Sequence, residues 1–97
     1  MKKVKTINIL GQNIKVRWTK EVLQDQYGNN LCGFYEPATQ TIVVQVGSNK
    51  REEQVIFFYL FCHAIMHTVG LAQVIDLKLQ EIIAESFAVV MYDLMKK

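Results

Sequence analysis

The chain's only two histidines, His63 and His67, lie four positions apart. On a helix that spacing puts both imidazoles on one face, one turn apart, where they can reach a single ion. Glu81 and Glu85 repeat the spacing further on. Glu85 stands in an apolar setting, AESFAVVM, where a carboxylate needs a cation or hydrogen-bond donors. Two imidazoles opposite two carboxylates make the donor set of a zinc site. Two His and one Glu would hold the ion, with a fourth position open. The second Glu would accept the free N–H of a ligand histidine and orient its ring. The metal-free alternative is a pair of semi-buried core histidines and a solvated acidic stripe.

These residues need two helices to carry them. Asn49 followed by Glu52 fits a capping box, and Glu52 and Glu53 suit a helix N-terminus. A helix is expected from about residue 50 to Val69, stopped by Gly70, with His63 and His67 in its second half. It is apolar nearly all round and so should be central and buried. A second helix is expected from about Asp76 to Met95, with Leu79, Ile82, Ile83, Phe87, Val90 and Leu94 as its core stripe. Its other face holds Ala84, Ala88 and Tyr92 beside the glutamates, and the alanines leave room for a close partner helix.

The first half reads as strands. Residues 4–10 and 14–18 form a hairpin whose turn is supplied by Gly11 and Asn13, with Ile14, Val16 and Trp18 on one face. Residues 19–30 lack a clear period, and a turn falls at 27–30. LCGFY (31–35) is a short strand, Pro37 opens a turn, and TIVVQV (41–46) is the strongest strand, presenting Ile42, Val44 and Val46 to one side. Strands followed by two helices give an α+β domain: a small twisted sheet of three to five strands packed against both helices, over residues 1–97.

Composition narrows the function classes. With 51% hydrophobic residues, one Pro and 97 residues, disorder and disulfide scaffolds are excluded. A formal charge of +2 is too even for a nucleic-acid stripe or a polybasic membrane arm, so no nucleic-acid partner is expected. Cys32 and Cys62, thirty positions apart, read as thiols of a reducing compartment. The Lys-rich start MKKVK leads into a strand-like stretch without an apolar leader, and the expected location is the cytoplasm, as a monomer. The run VIFFYLFCHAIMHTVGLA is long enough to imitate a membrane span. Its two imidazoles would be costly in lipid, and no membrane partner is expected.

The stretch His63-Ala64-Ile65-Met66-His67 resembles the HExxH helix of zinc metallopeptidases with one substitution. Glu81-Ile82-Ile83-Ala84-Glu85-Ser86-Phe87-Ala88 is similar to the glutamate helix of the gluzincins. It most resembles the E-x-x-A-[N/E]-x-F-A signature of the ImmA/IrrE-like small metallopeptidases, or minigluzincins. Gly33-Phe34-Tyr35 and Thr41-Ile42-Val43-Val44 resemble the hairpin preceding that family's active-site helix. The resemblance covers residues 31–92 and is strongest in the two helices. It implies one Zn²⁺ per chain on His63, His67 and Glu81, Glu85 supporting a ligand histidine, and hydrolysis of a peptide or protein substrate. It further implies that the strand at 41–46 rims the cleft and that an extended peptide adds to its edge.

Position 64 departs from the pattern. The family has Glu there, which takes the proton of the attacking water and passes it to the leaving amine. Ala64 cannot do this, so hydrolysis should fall by roughly 10²–10⁴-fold or more, while ligation survives. Two origins fit: a deliberate inactivating substitution in an otherwise active peptidase, preferred because the ligands, the supporting acid and the surrounding helix are all intact, or natural loss in a module that captures a peptide or protein along its sheet edge. Tyr35 and Tyr92 are further candidates to stabilise an oxyanion near the metal. Cys62, beside His63 but about 100° round the helix, is read as a packing residue.

Overall fold

The computed structural model describes residues 3–47 and 49–96. Strands β1 (Thr6–Ile9) and β2 (Gln12–Thr19) form the first hairpin. Its turn is made by Leu10 and Gly11, at φ 50° and 83°, and not by Gly11 and Asn13. Two successive positive-φ residues match the twist of the flanking strands. Asn13 instead pairs with Asn8 across the ladder, and the Gly11 N–H donates to Asn8 Oδ1 at 3.0 Å.

The region without a period folds as a second small hairpin, β3 (Leu23–Gln24) and β4 (Asn30–Leu31). Asp25 closes it, accepting from the N–H groups of Tyr27 and Asn29 at 2.8 and 3.0 Å. The Asn29 N–H above all, with help from Tyr27, outweighs the opposing effect of burial and holds the Asp25 carboxyl below the usual range. The LCGFY stretch is therefore split, and β5 covers only Gly33–Glu36. A turn from Pro37 to Gln40 leads to β6 (Thr41–Gln45).

The main sheet has the order β1-β2-β6-β5. β6 lies parallel to β2 and antiparallel to β5, so the sheet is mixed. Ile14, Ile42 and Val44 are fully buried on the side that meets the helices. Val46, expected on that face, lies beyond the end of β6 and is half-buried.

Helix α1 (Lys50–Thr68) fills the core with Phe57, Phe58, Leu60, Cys62, Ala64 and Met66. Asn49 Oδ1 accepts the Glu52 N–H at 2.9 Å. The reciprocal half of the expected capping box is replaced by Glu53, which is buried and accepts the Gly47 N–H at 2.9 Å. Gly70, at φ 84°, turns the chain after α1, and a single 3-10 turn (Leu71–Gln73) leads to α2 (Leu77–Met95). Asp76 caps α2 by accepting the Leu79 N–H at 2.8 Å. Neither helix, among the described residues, is long and apolar enough to cross a membrane.

The stripe expected to bury α2 faces the wrong way. Leu79, Ile82, Ile83, Val90 and Leu94 are 45%, 52%, 37%, 57% and 59% exposed. The buried residues of α2 are Gln80, Ala84 and Ala88, with Phe87 and Met91 partly covered at the margin. Packing follows size here: α1 presents bulky side chains, and small residues opposite them let the helix axes come close. Gln80 is retained in the interior because its Nε2 donates to the carbonyls of Ala72 and Ile75, at 3.1 and 2.8 Å. That pins the inter-helix connection to the start of α2.

Gly33 fixes the other close approach. A Cβ there would lie 2.6 Å from the Val43 carbonyl oxygen, 2.9 Å from Leu60 Cδ1 and 3.2 Å from Ile56 Cγ2. The edge strand thus meets α1 with no side chain between them. Gly33→Ala should lower stability by about 1–3 kcal/mol, the cost of overpacking a filled interior. Thermal unfolding should register this as a fall of several degrees in Tm, and an unchanged Tm would show that the contact is slack.

Candidate functional site

Three residues of α1 stand in a row at one-turn intervals: Tyr59, His63 and His67. They look out between α2 on one side and β5 on the other. Across the gap, α2 supplies Glu81. His63 Nε2 stands 3.0 Å from Glu81 Oε1. The Tyr59 hydroxyl donates to the other carboxylate oxygen, Glu81 Oε2. The Tyr59 and His63 rings meet edge to face with centroids 4.7 Å apart. Glu81 is therefore held by two side chains from consecutive turns of α1, and both of its oxygens are engaged.

His67 lies one turn beyond, exposed, with its ring 5.5 Å from that of Tyr35 in β5. A shallow polar recess of about 170 Å³ opens there, lined by Gln12, Tyr35, Pro37, Gln40, His67 and Thr68. Burial, and to a smaller extent the Glu36 charge, raises the Tyr35 hydroxyl's pKa. Tyr35 thus sits by the site as a neutral donor. Tyr92 does not: its ring lies under the Arg51 guanidinium and the Lys96 ammonium, at 5.3 and 5.6 Å.

Glu85 is one turn past Glu81 and exposed. It meets no histidine. It lines an apolar groove of about 300 Å³ between the helices with Val55, Ile56, Tyr59, Ala88 and Val89. The group that supports the His63–Glu81 pair is Tyr59, which the sequence reading passed over. Its signal is plain in retrospect: it precedes His63 by the same four residues that separate the histidines. Burial, the hydrogen bond to Glu81 and the charges of Glu81 and Glu85 all raise the Tyr59 pKa far above the usual phenol range. The phenol remains a proton donor at any physiological pH.

Ala64 is completely buried and belongs to the core under the sheet, with its carbonyl accepting the Thr68 hydroxyl at 2.8 Å. Cys62 is buried against Met66 and Ala84, as a packing residue, and burial raises its thiol pKa. The rim of the cleft differs from the expected one. β6 is paired on both sides, to β2 and to β5, so it has no free edge. The open edge beside His67 is β5. The Gln45 N–H donates to the Cys32 carbonyl at 2.9 Å, and antiparallel alternation from that pair turns the backbone groups of Gly33 and Tyr35 outward.

The pair His63–Glu81 suits a shared zinc ion. Donors about 2.0–2.2 Å from a tetrahedral ion stand roughly 3.3–3.5 Å apart, a few tenths of an ångström beyond the separation seen. Among the described residues, no group of three His, Cys, Asp or Glu side chains converges as a metal site. His67, turned toward Tyr35, stays outside the pair. No family model matches the chain, and searches of the curated proteins and the solved structures return no significant match.

Because the Tyr59 hydroxyl donates to the Glu81 carboxylate, the contributions of these two residues should be coupled. A double-mutant cycle of Tyr59→Phe and Glu81→Gln, read by chemical denaturation, should give an interaction energy of about 0.5–2 kcal/mol. Additivity of the two single changes would show that the contact carries no stability.

Proposed function

We propose that the chain is a domain of the small zinc metallopeptidase type that has lost its proton-transfer group. His63, His67 and Glu81 would hold one zinc ion. The reading rests above all on the meeting of His63 and Glu81, contributed by separate helices, with Tyr59 bracing the carboxylate. Completing the ligand set requires His67 to turn its exposed ring from Tyr35 toward Glu81. Bound zinc would act as a Lewis acid on a carbonyl oxygen and lower the pKa of a nearby water.

The chain's own residues would do the rest. The outward N–H and C=O groups of Gly33 and Tyr35 would take an extended peptide as an added strand along β5. That places the peptide backbone beside His67 and the Tyr35 hydroxyl, a neutral donor suited to a developing oxyanion. Tyr59, held protonated, would keep Glu81 in place for the ion. Nothing at position 64 can accept the proton of an attacking water, and the reaction would stall there.

A second reading, a module that captures a peptide without cutting it, is favoured by one observation. Ala64 is sealed in the apolar core, and the space around it is closed.

Two measurements test this. Chain purified without chelator should carry about one zinc, and His63→Ala or Glu81→Ala should lose it; saturating zinc should raise Tm by roughly 10 °C. Absence of bound zinc at neutral pH would overturn the proposal. Ala64→Glu should cost the zinc-free chain about 3–5 kcal/mol, because it places a carboxylate at a completely buried apolar position. With zinc restored, that variant should raise peptide hydrolysis by roughly 10²–10⁴-fold over the parent. Zinc and peptide binding without such a gain would assign the chain to capture alone.

A further inference from the structure

The outward face of α2 is apolar along most of its length. Leu79, Ile83, Ser86, Val90 and Asp93 follow one another at intervals of four and three residues, the seam of a heptad. Ile82, Val89 and Leu94 flank that seam, and all three are exposed. With a whole aliphatic side chain at about 150–200 Å², the exposed part of the face amounts to roughly 500 Å², near the upper end for any patch on a monomer. A modest stable interface needs about 600 Å² per partner, and the apolar face supplies most of that.

We infer that this face pairs with the same face of a second copy, in antiparallel orientation about a two-fold axis at Ser86. The middle of the face is self-complementary about that point, while at each end Leu79 meets Asp93. Residues equally distant from Ser86 meet across the axis: Ile82 faces Val90 of the copy, and Ile83 faces Val89. Serine is the smallest residue on the face, and it falls where the two helices come closest. Charge fixes the direction. Lys78 and Asp93 lie on the same flank of α2 near its opposite ends, so antiparallel pairing brings each Lys78 within one residue of the other copy's Asp93, whose carboxylate also pairs with its own Lys96 at 3.5 Å. Parallel pairing would oppose Lys78 to Lys78 and Asp93 to Asp93, which the rim of an interface disfavours. Antiparallel alignment also places each helix N-terminus beside the partner's C-terminus. Glu81 and Glu85 lie off this seam, so pairing leaves the candidate zinc cleft of each copy open.

Sedimentation equilibrium of the full chain into the high-micromolar range tests the pairing. The expected mass is twice that of the 11.2 kDa chain. Ile83→Asp, folded by circular dichroism, should be monomeric. Asp93→Lys should weaken association by roughly three- to tenfold, and adding Lys78→Asp should restore it. In a Cys32→Ser background, Ser86→Cys should form an intermolecular disulfide faster than Thr39→Cys. A monomer at every concentration, or cross-linking at position 86 no faster than at position 39, would overturn the inference.

Discussion

The close contact of α2 with α1 through Ala84 and Ala88 is the constraint on which the rest depends. Two residues with single-carbon side chains bring the helix axes together, and only at that separation can Glu81 lie 3.0 Å from His63 and accept from Tyr59. The same choice has a cost elsewhere. A helix that turns alanines inward must turn its leucines, isoleucines and valines outward. The exposed stripe of α2 and the His63–Glu81 pair are thus two results of one packing decision. Burying the stripe instead would gain more hydrophobic free energy per residue, but it would swing Glu81 out of the cleft.

A second close approach completes the cleft. Gly33 lets β5 press on α1 at Ile56 and Leu60. His67, two turns beyond Leu60, is thereby brought against Tyr35. The wall formed by β5 is an unpaired strand edge, and the wall formed by α2 carries the carboxylates. Between them the row Tyr59, His63, His67 forms the floor. A side chain at position 33 would act on the site without touching it, by lifting the edge strand away from the histidines.

Apolar spacing, Asn49, Asp76 and Gly70 agree on the ends of both helices, which are therefore legible to within a residue or two. The alternation at Ile14 and Val16 likewise marks the buried face of β2. Two departures, the α2 stripe and the cleft rim, share one physical cause: hydrophobicity reports which residues gain from burial, not which faces fit. The α2 stripe was assigned by apolar content, whereas size complementarity to α1 decided the outcome. The cleft rim was assigned to the most β-prone segment, residues 41–46, yet strong strands tend to be central, and the weaker GFYE holds the edge. The small β3–β4 hairpin has too few residues to show a period, and its closure depends on one carboxylate, Asp25, capping backbone N–H groups. Tyr59 was passed over because a tyrosine among phenylalanines reads as packing until Glu81 is brought to its hydroxyl.

Position 64 is where these constraints meet. Ala64 follows Ile56 and Leu60 along the side of α1 that β5 presses on, and it is one residue from His63, which faces the cleft. A glutamate there would have to extend from the crowded side toward the open one, across a distance that the sheet and helix have closed. Alanine relieves that crowding, preserves the helix and adds its methyl to the core cluster. On the proposed reading, what favours the fold at this position is therefore what removes the chemistry. A chain under no demand to hydrolyse would settle on a small apolar residue here while still holding the carboxylate–histidine contact that Tyr59 reinforces. The proposed zinc pair and the buried alanine are consistent with each other only if ion binding and proton transfer are separable, and on this helix positions 63 and 64 are separated by one residue and about 100° of rotation.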